Sequence, residues 1–434
     1  MESLGFLALL VCILLAGSIS RRIRGTIITL PMVYAFLGIV IGGLGFNIVE
    51  LEVENRLVVM IAELTLIFVL ATDASRINIR DVLRDHDLPL RLLGVGLPLM
   101  MIAGTICAVL IFSELSFWEA AILGIILYPT DASLGQSVVN NPKVPVRIRQ
   151  ALNIESGLND GIALPFLLLA VSMATSEVIY ENPFEFFSSV LVQILLGIAA
   201  GVVVGYLGAK FIQWGQKSGW MSRIYQKISS LVLILVVYGI AEVIGGNGFI
   251  AAFILGLVSS NVSSPEETED LYEHAEIQVT VLMMLTFMIF GAVMLPPAIE
   301  SISPSIVLYA IISLSLVRIV PVAISFIKAK VQPRTALFVG WFGPRGIASI
   351  LYIFIVLESE SLPGLELIYA VVMVTVLFSI FAHGISAAPA SIRYGRRMSE
   401  LDQVKKTMTE SQEVTEMPLR EKFDTEDNKF DVQH

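Results

Sequence analysis

The sequence has little cysteine, little charge and little histidine. Its two cysteines, Cys12 and Cys107, each lie inside an apolar run, which excludes a disulfide framework and a CxxC metal pair. Charged residues make up 15% of the 434 residues and hydrophobic ones 56%. Soluble domains carry nearer a quarter charged residues, so the composition points to lipid. No HExxH, no GxSxG and no comparable nucleophile–base set is present, which argues against an intramembrane enzyme. A TVGYG-like carbonyl run is also missing, and with it a selective filter of that kind. No cofactor is implied, and nothing points to nucleic acid as a partner.

What is present is apolar sequence of spanning length, recurring from Leu4 to about Ala388. Most runs are apolar all round and not striped, so they face membrane lipid and not a soluble core. A window of about 20 residues predicts about thirteen segments. They fall near 3–19, 27–46, 57–75, 91–113, 118–139, 148–173, 186–213, 226–244, 247–262, 276–294, 304–327, 334–357 and 365–389. The fold class is therefore an all-α polytopic membrane protein. Leu4–Ser18 reads as a first spanning helix and not as a signal peptide, because Arg21, Arg22 and Arg24 follow it. Lys and Arg recur in alternate loops: Arg21–Arg24, Arg76–Arg91, Lys143–Arg149, Lys210–Lys227, Lys328–Arg334 and Arg393–Arg397. That alternation predicts an outside N-terminus and a cytoplasmic C-terminus. The acidic stretch Ser263–Ala275 reads as a cytoplasmic loop, and 398–434 as a solvated tail, disordered or loosely helical.

Two segments have broken middles. Tyr128-Pro129-Thr130-Asp131 interrupts the fifth and Gly343-Pro344-Arg345-Gly346 the twelfth. Proline removes a helical hydrogen bond and clashes with the turn before it. Breaks an odd number of segments apart imply inverted repeats, and such paired breaks point to a transporter binding site. The sixth segment adds Asn153-Ile154-Glu155-Ser156-Gly157-Leu158-Asn159-Asp160. Helical spacing puts Glu155 and Asn159 on one face, and likewise Ser156 and Asp160. Hard alkali cations want such oxygens, and a carboxylate also holds a proton. A single polar residue in a membrane helix is often interhelical glue; a cluster beside a broken helix is a functional site by default.

Pro129-Thr130-Asp131, the run from Glu155 to Asp160, and Gly340-Trp341-Phe342-Gly343-Pro344-Arg345-Gly346 together resemble the signature motifs of NhaP-type sodium/proton antiporters. That family includes the animal sodium/proton exchangers, and the resemblance covers essentially the whole membrane part. It implies a homodimer, with 1–75 and 226–294 in a dimerisation domain, 91–173 and 304–389 in a six-helix core, and 186–213 linking them. It implies electroneutral exchange of Na+, with Li+ as a further substrate, for H+ by alternating access in the cell (inner) membrane, for pH and sodium homeostasis. Potassium/proton exchange on the same fold is the alternative; a cation channel fits less well, because two inverted breaks around one carboxylate suit an occluding site. Carried over residue by residue, Asp160 matches the ion- and proton-binding aspartate and Asn159 the asparagine of the electroneutral branch. Ser156 and Thr130 match ligands, and Asp131 the acid of the broken fifth helix, so that sodium would lie among Asp160, Asp131, Ser156 and Thr130. Glu155 matches the structural partner of Arg318, and Arg345 the arginine of the broken twelfth helix. Glu63 and Asp73 are candidates for an inlet funnel or the protomer interface, and His383 for a packed, hydrogen-bonded histidine.

Overall fold

In the computed structural model of the chain, residues 2–23, 26–85, 87–179, 183–262, 265–358, 362–404, 409–412, 414 and 416 are described, and among them there are helices and no strands. Lipid cannot satisfy backbone N–H and C=O groups, so each crossing segment must bond within itself. Helix α1 spans Glu2–Ile23, α2 Leu30–Ile41, α3 Arg56–Ser75 and α4 Asp87–Ile111. The fifth segment is split into α5a, Phe117–Ile126, and α5b, Ala132–Val139. Next come α6, Val146–Ile179, α7, Pro183–Lys217, α8, Arg223–Val243, and α9, Gly248–Val262. Helix α10 runs from Pro265 to Ile289, through a π-turn at Phe290–Met294, into Leu295–Glu300. Helix α11 covers Pro304–Ser325 with an interruption at Ser315. The twelfth segment is split into α12a, Pro333–Trp341, and α12b, Ile347–Leu357, and α13 spans Leu365–Val404. Among the described residues nine helices are long and apolar enough to cross a membrane, and four shorter apolar helices complete the thirteen expected segments.

Several ends depart from the hydropathy windows. Helix α6 runs on to Ile179, α7 to Lys217 and α13 to Val404, past the apolar runs that announced them. Hydropathy marks where lipid ends, whereas the hydrogen-bond ladder continues into water wherever side chains favour it. The stretch Ser263–Ala275, expected as a loop, is helical from Pro265; it is rich in Glu, a good helix former. His86 lies outside the described residues, as does most of the tail after Val404. Both π-turns, at Leu92–Gly96 and Phe290–Met294, precede a proline near the start of the next helical stretch, where the missing donor forces the ladder to widen.

The helices pack in two groups that also touch each other, α3 against α6 and α12b and α10 against α13. Helices α2, α3, α8, α9 and α10 lie against one another, and α4, α5a and α6 do likewise, as do α11 and α13. Helix α7 touches both α6 and α9. The two breaks meet inside the second group, and that places the site.

Candidate ion-binding site

The stretches between the half-helices carry the prolines, and they touch: the Asp131 amide donates to the Pro344 carbonyl at 2.8 Å. Four half-helix ends converge there, each bearing about half a charge. Helices α5b and α12b bring their N-terminal ends to one carboxylate. Asp131 Oδ1 accepts from the Ser133 amide at 2.7 Å and its hydroxyl at 2.6 Å, and Oδ2 from the Ile347 amide at 2.8 Å. Asp131 thus caps two half-helices at once. Gly346 makes room for this, since a Cβ there would stand 2.1 Å from Asp131 Oδ2.

The C-terminal ends are met by donors. Arg345 Nη1 reaches the Tyr128 carbonyl at 2.6 Å, and the Ser349 hydroxyl reaches the Ile126 carbonyl at 2.8 Å, both just past or at the end of α5a. His383 Nε2 lies 2.9 Å from the Trp341 carbonyl at the end of α12a. Nδ1 lies 3.0 Å from the Ser379 carbonyl, so both ring nitrogens face main-chain carbonyls. Nδ1 is 3.1 Å from the Ser379 hydroxyl, which also accepts the Arg345 amide at 2.6 Å.

Helix α6 lies beside the breaks. Ser156 Oγ donates to the Thr130 carbonyl and Asn159 Nδ2 to Thr130 Oγ1, each at 2.6 Å. Asn159 Oδ1 is buried without a hydrogen bond. The neighbouring Asp160 is 6% exposed, and its main-chain carbonyl accepts the Tyr352 hydroxyl. A cavity of about 20 Å³ opens among Thr130, Asp131, Asn153, Ser156, Phe342 and Pro344, enough for about one water-sized body. One turn before Asn159, Glu155 is bound by Arg318 through two hydrogen bonds of 2.6 and 2.8 Å. The Arg318 guanidinium also fills the space beside Gly343, where a Cβ would lie 2.1 Å from Nε.

The structure therefore brings Thr130, Ser156 and Asn159 into direct contact, sets Asp131 across two helix N-termini, and joins Glu155 to Arg318. It puts the other two candidates elsewhere. Asp73 ends α3 and pairs with Arg76 at 3.3 Å, and Arg76 also reaches Glu276 of α10 at 3.0 Å. Glu63 is half-buried near Glu242 and Glu358. Desolvation first, and then the Glu63 and Glu242 charges, push the Glu358 carboxyl above its ordinary range. Sequence reading missed Ser349, Tyr352, Ser379 and Ser133. Spacing was the available signal: Ser349 and Tyr352 are three apart on an otherwise apolar half-helix, and Ser379 and His383 four apart on α13.

Chemically, Asp131, the Asn159 amide oxygen, the Thr130 and Ser156 hydroxyls and the Thr130 carbonyl make a hard-oxygen set suited to a small cation, with Asp160 next to Asn159 along α6. Residues 6–393 match the family model described as sodium/hydrogen exchanger, transmembrane. A probable Na(+)/H(+) antiporter of Schizosaccharomyces pombe is 27% identical over 326 residues, 66% of this chain and 42% of its own length. The K(+)/H(+) antiporter NhaP2 of Shewanella baltica is 26% identical over 290 residues, 64% of this chain and 47% of its own. The chain thus spans about half the length of these curated relatives. The structure of the sodium proton antiporter MjNhaP1 from Methanocaldococcus jannaschii at pH 8 matches with a TM-score of 0.71 at 18% identity, covering 90% of this chain and 98% of that one. That likeness shows the fold. With the family model running from the first helix into the last, the chain belongs to the sodium/hydrogen exchanger family of transporters.

Proposed function

We propose that this protein exchanges sodium ions for protons across the cell membrane without moving net charge. The observation that carries the reading is the neutrality around Asp160. Its neighbour Asn159 is an amide tied to Thr130, Glu155 is neutralised by Arg318, and both Asp131 oxygens are spent on helix caps. Asp160 is the one carboxylate this reading assigns to both substrates, so a cation and a proton displace each other one for one. Thr130, Ser156 and Asn159 supply neutral oxygens, with Asp131 fixing the electrostatics of the break. Alternating access would come from movement of the α4–α6 and α11–α13 core against the helices that hold the dimer, with α7 as the link. The charged site without a counter-ion would cross poorly, since burying an uncompensated carboxylate is costly. A homodimer, an outside N-terminus, a cytoplasmic C-terminus and a role in pH and sodium homeostasis belong to the same reading.

Potassium in place of sodium is the second reading, favoured by the K(+)/H(+) antiporter among the relatives. The oxygen set serves both ions, because size selection depends on how far the cage can close. Proteoliposomes loaded with a pH-sensitive dye separate the readings when sodium, lithium and potassium are added in turn. Proton efflux with sodium and lithium but not potassium supports the first. Efflux with potassium alone supports the second, and no cation-driven proton movement refutes both.

A further inference from the structure

Beyond the end of α13, a described turn holds a buried acid with no place in the exchange chemistry. Glu410 sits in a short turn, Thr409–Ser411, and is 1% exposed. Its Oε1 accepts from the Gln332 amide at 2.6 Å and from the Thr335 hydroxyl at 2.8 Å. Gln332 is the N-cap residue of α12a and makes no capping hydrogen bond through its own side chain. Glu410 supplies that cap from 78 residues away, with a negative charge on the positive end of the helix. Thr335 Oγ1 also lies 2.9 Å from the Tyr394 hydroxyl of α13. Because Thr335 gives its proton to Glu410, Tyr394 donates to Thr335, and the three form a chain.

The neighbouring helix grips the same turn. Arg147, in the first turn of α6 and 7% exposed, donates to the Thr409 carbonyl at 2.6 Å and to the Gln412 side chain. It also holds Asp87 of α4. Arg149 reaches Glu416 at 3.5 Å, an exposed contact that adds little. A solvated tail would keep its carboxylates in water. Desolvating one is tolerable only where donors await it; here a backbone amide and a hydroxyl meet Oε1, while Oε2 is buried without a hydrogen bond.

We propose that the starts of α6 and α12a, with Tyr394, form a docking pocket for an acidic peptide segment, that residues 409–412 occupy it in cis, and that occupancy positions the ion site. Helix α6 carries Asn159 and Asp160, and α12a leads straight into the break at 342–346. The turn therefore ties together the starts of the two elements that carry site residues further along. Glu410 is a positioning residue: it touches no ion. The turn's contacts run to α12a through Glu410 and to α6 through Thr409 and Gln412, so release should alter ligand geometry more than movement between groups.

The test uses the full chain with Glu410→Ala, Glu410→Gln and Thr335→Val. Hydrogen–deuterium exchange of the amides of residues 409–412 reads docking, and proteoliposome flux reads the KM for sodium and the maximal rate. Loss of a helix cap corresponds to about twofold to thirtyfold. Glu410→Ala and Thr335→Val should speed exchange of the segment and raise the sodium KM within that range, with the maximal rate held within about twofold. Glu410→Gln keeps the accepting oxygen but loses the charge on the helix end, and should fall between the parent and Glu410→Ala. Unchanged deuterium exchange in both Glu410→Ala and Thr335→Val overturns the docking. A released segment with an unchanged KM overturns the positioning role. The KM arm rests on the proposed exchange activity; the deuterium arm does not, so the two can fail separately.

Discussion

Removing Arg318 should be among the most damaging single changes in the protein. Glu155 and Arg318 are 0% and 1% exposed, and the two hydrogen bonds of 2.6 and 2.8 Å make the pair bidentate. Arg318→Met leaves Glu155 as an uncompensated buried charge, which typically costs about 3–5 kcal/mol. That corresponds to roughly a hundredfold to a few thousandfold in the folded-to-unfolded ratio. The substitution also empties the space the guanidinium fills beside Gly343, loosening the second break. Neutralising both partners in Glu155→Leu/Arg318→Met removes the orphaned charge and should recover much of the loss, because a buried ion pair is worth little over a well-packed apolar pair. The assay is the fraction of monodisperse protein left after heating in detergent, for the parent, both singles and the double. Arg318→Met as stable as the parent would refute the reasoning. So would a double variant whose loss is the plain sum of the singles, since partners in contact should couple.

Gly346→Ala should cripple exchange, because its Cβ would stand 2.1 Å from Asp131 Oδ2 and displace the cap shared by α5b and α12b; flux with well-inserted protein checks it, and near-parent exchange contradicts it. Transport should be electroneutral. A clamped potential of about 100 mV, worth about 2.3 kcal/mol per net charge moved, should leave unmoved the internal pH at which proton flux stops in a fixed sodium gradient. A stopping pH that follows the potential would mean unequal stoichiometry. Asn159→Asp turning that response on would support the assignment.

The breaks were legible because proline inside an apolar run has few explanations, and the α6 cluster because acids at membrane depth need partners. The pairing of Asp131 with two helix N-termini could be reasoned from charge, but its full engagement by Ser133 and Ile347 could not, because it depends on how closely the two breaks approach. Ser349, Tyr352 and Ser379 stayed hidden since a hydroxyl in an apolar helix usually bonds back to its own turn. His383 was readable as a packed histidine, but its partner, the Trp341 carbonyl, exists only because α12a stops there. The tail hid its docked turn for a different reason: Glu410 has no apolar periodicity around it, and its partners Gln332 and Thr335 are far off in sequence. Helix ends beyond the apolar runs were also out of reach, because hydropathy reports the medium and not the ladder.

The central claim is that a cation and a proton compete for Asp160. The most direct measurement is proton release into weakly buffered detergent solution when sodium chloride is added to the purified protein, with choline chloride as the ionic-strength control. The parent should release protons on sodium addition, and Asp160→Asn, equally folded, should release none. Sodium-driven release that persists undiminished in Asp160→Asn would contradict the account.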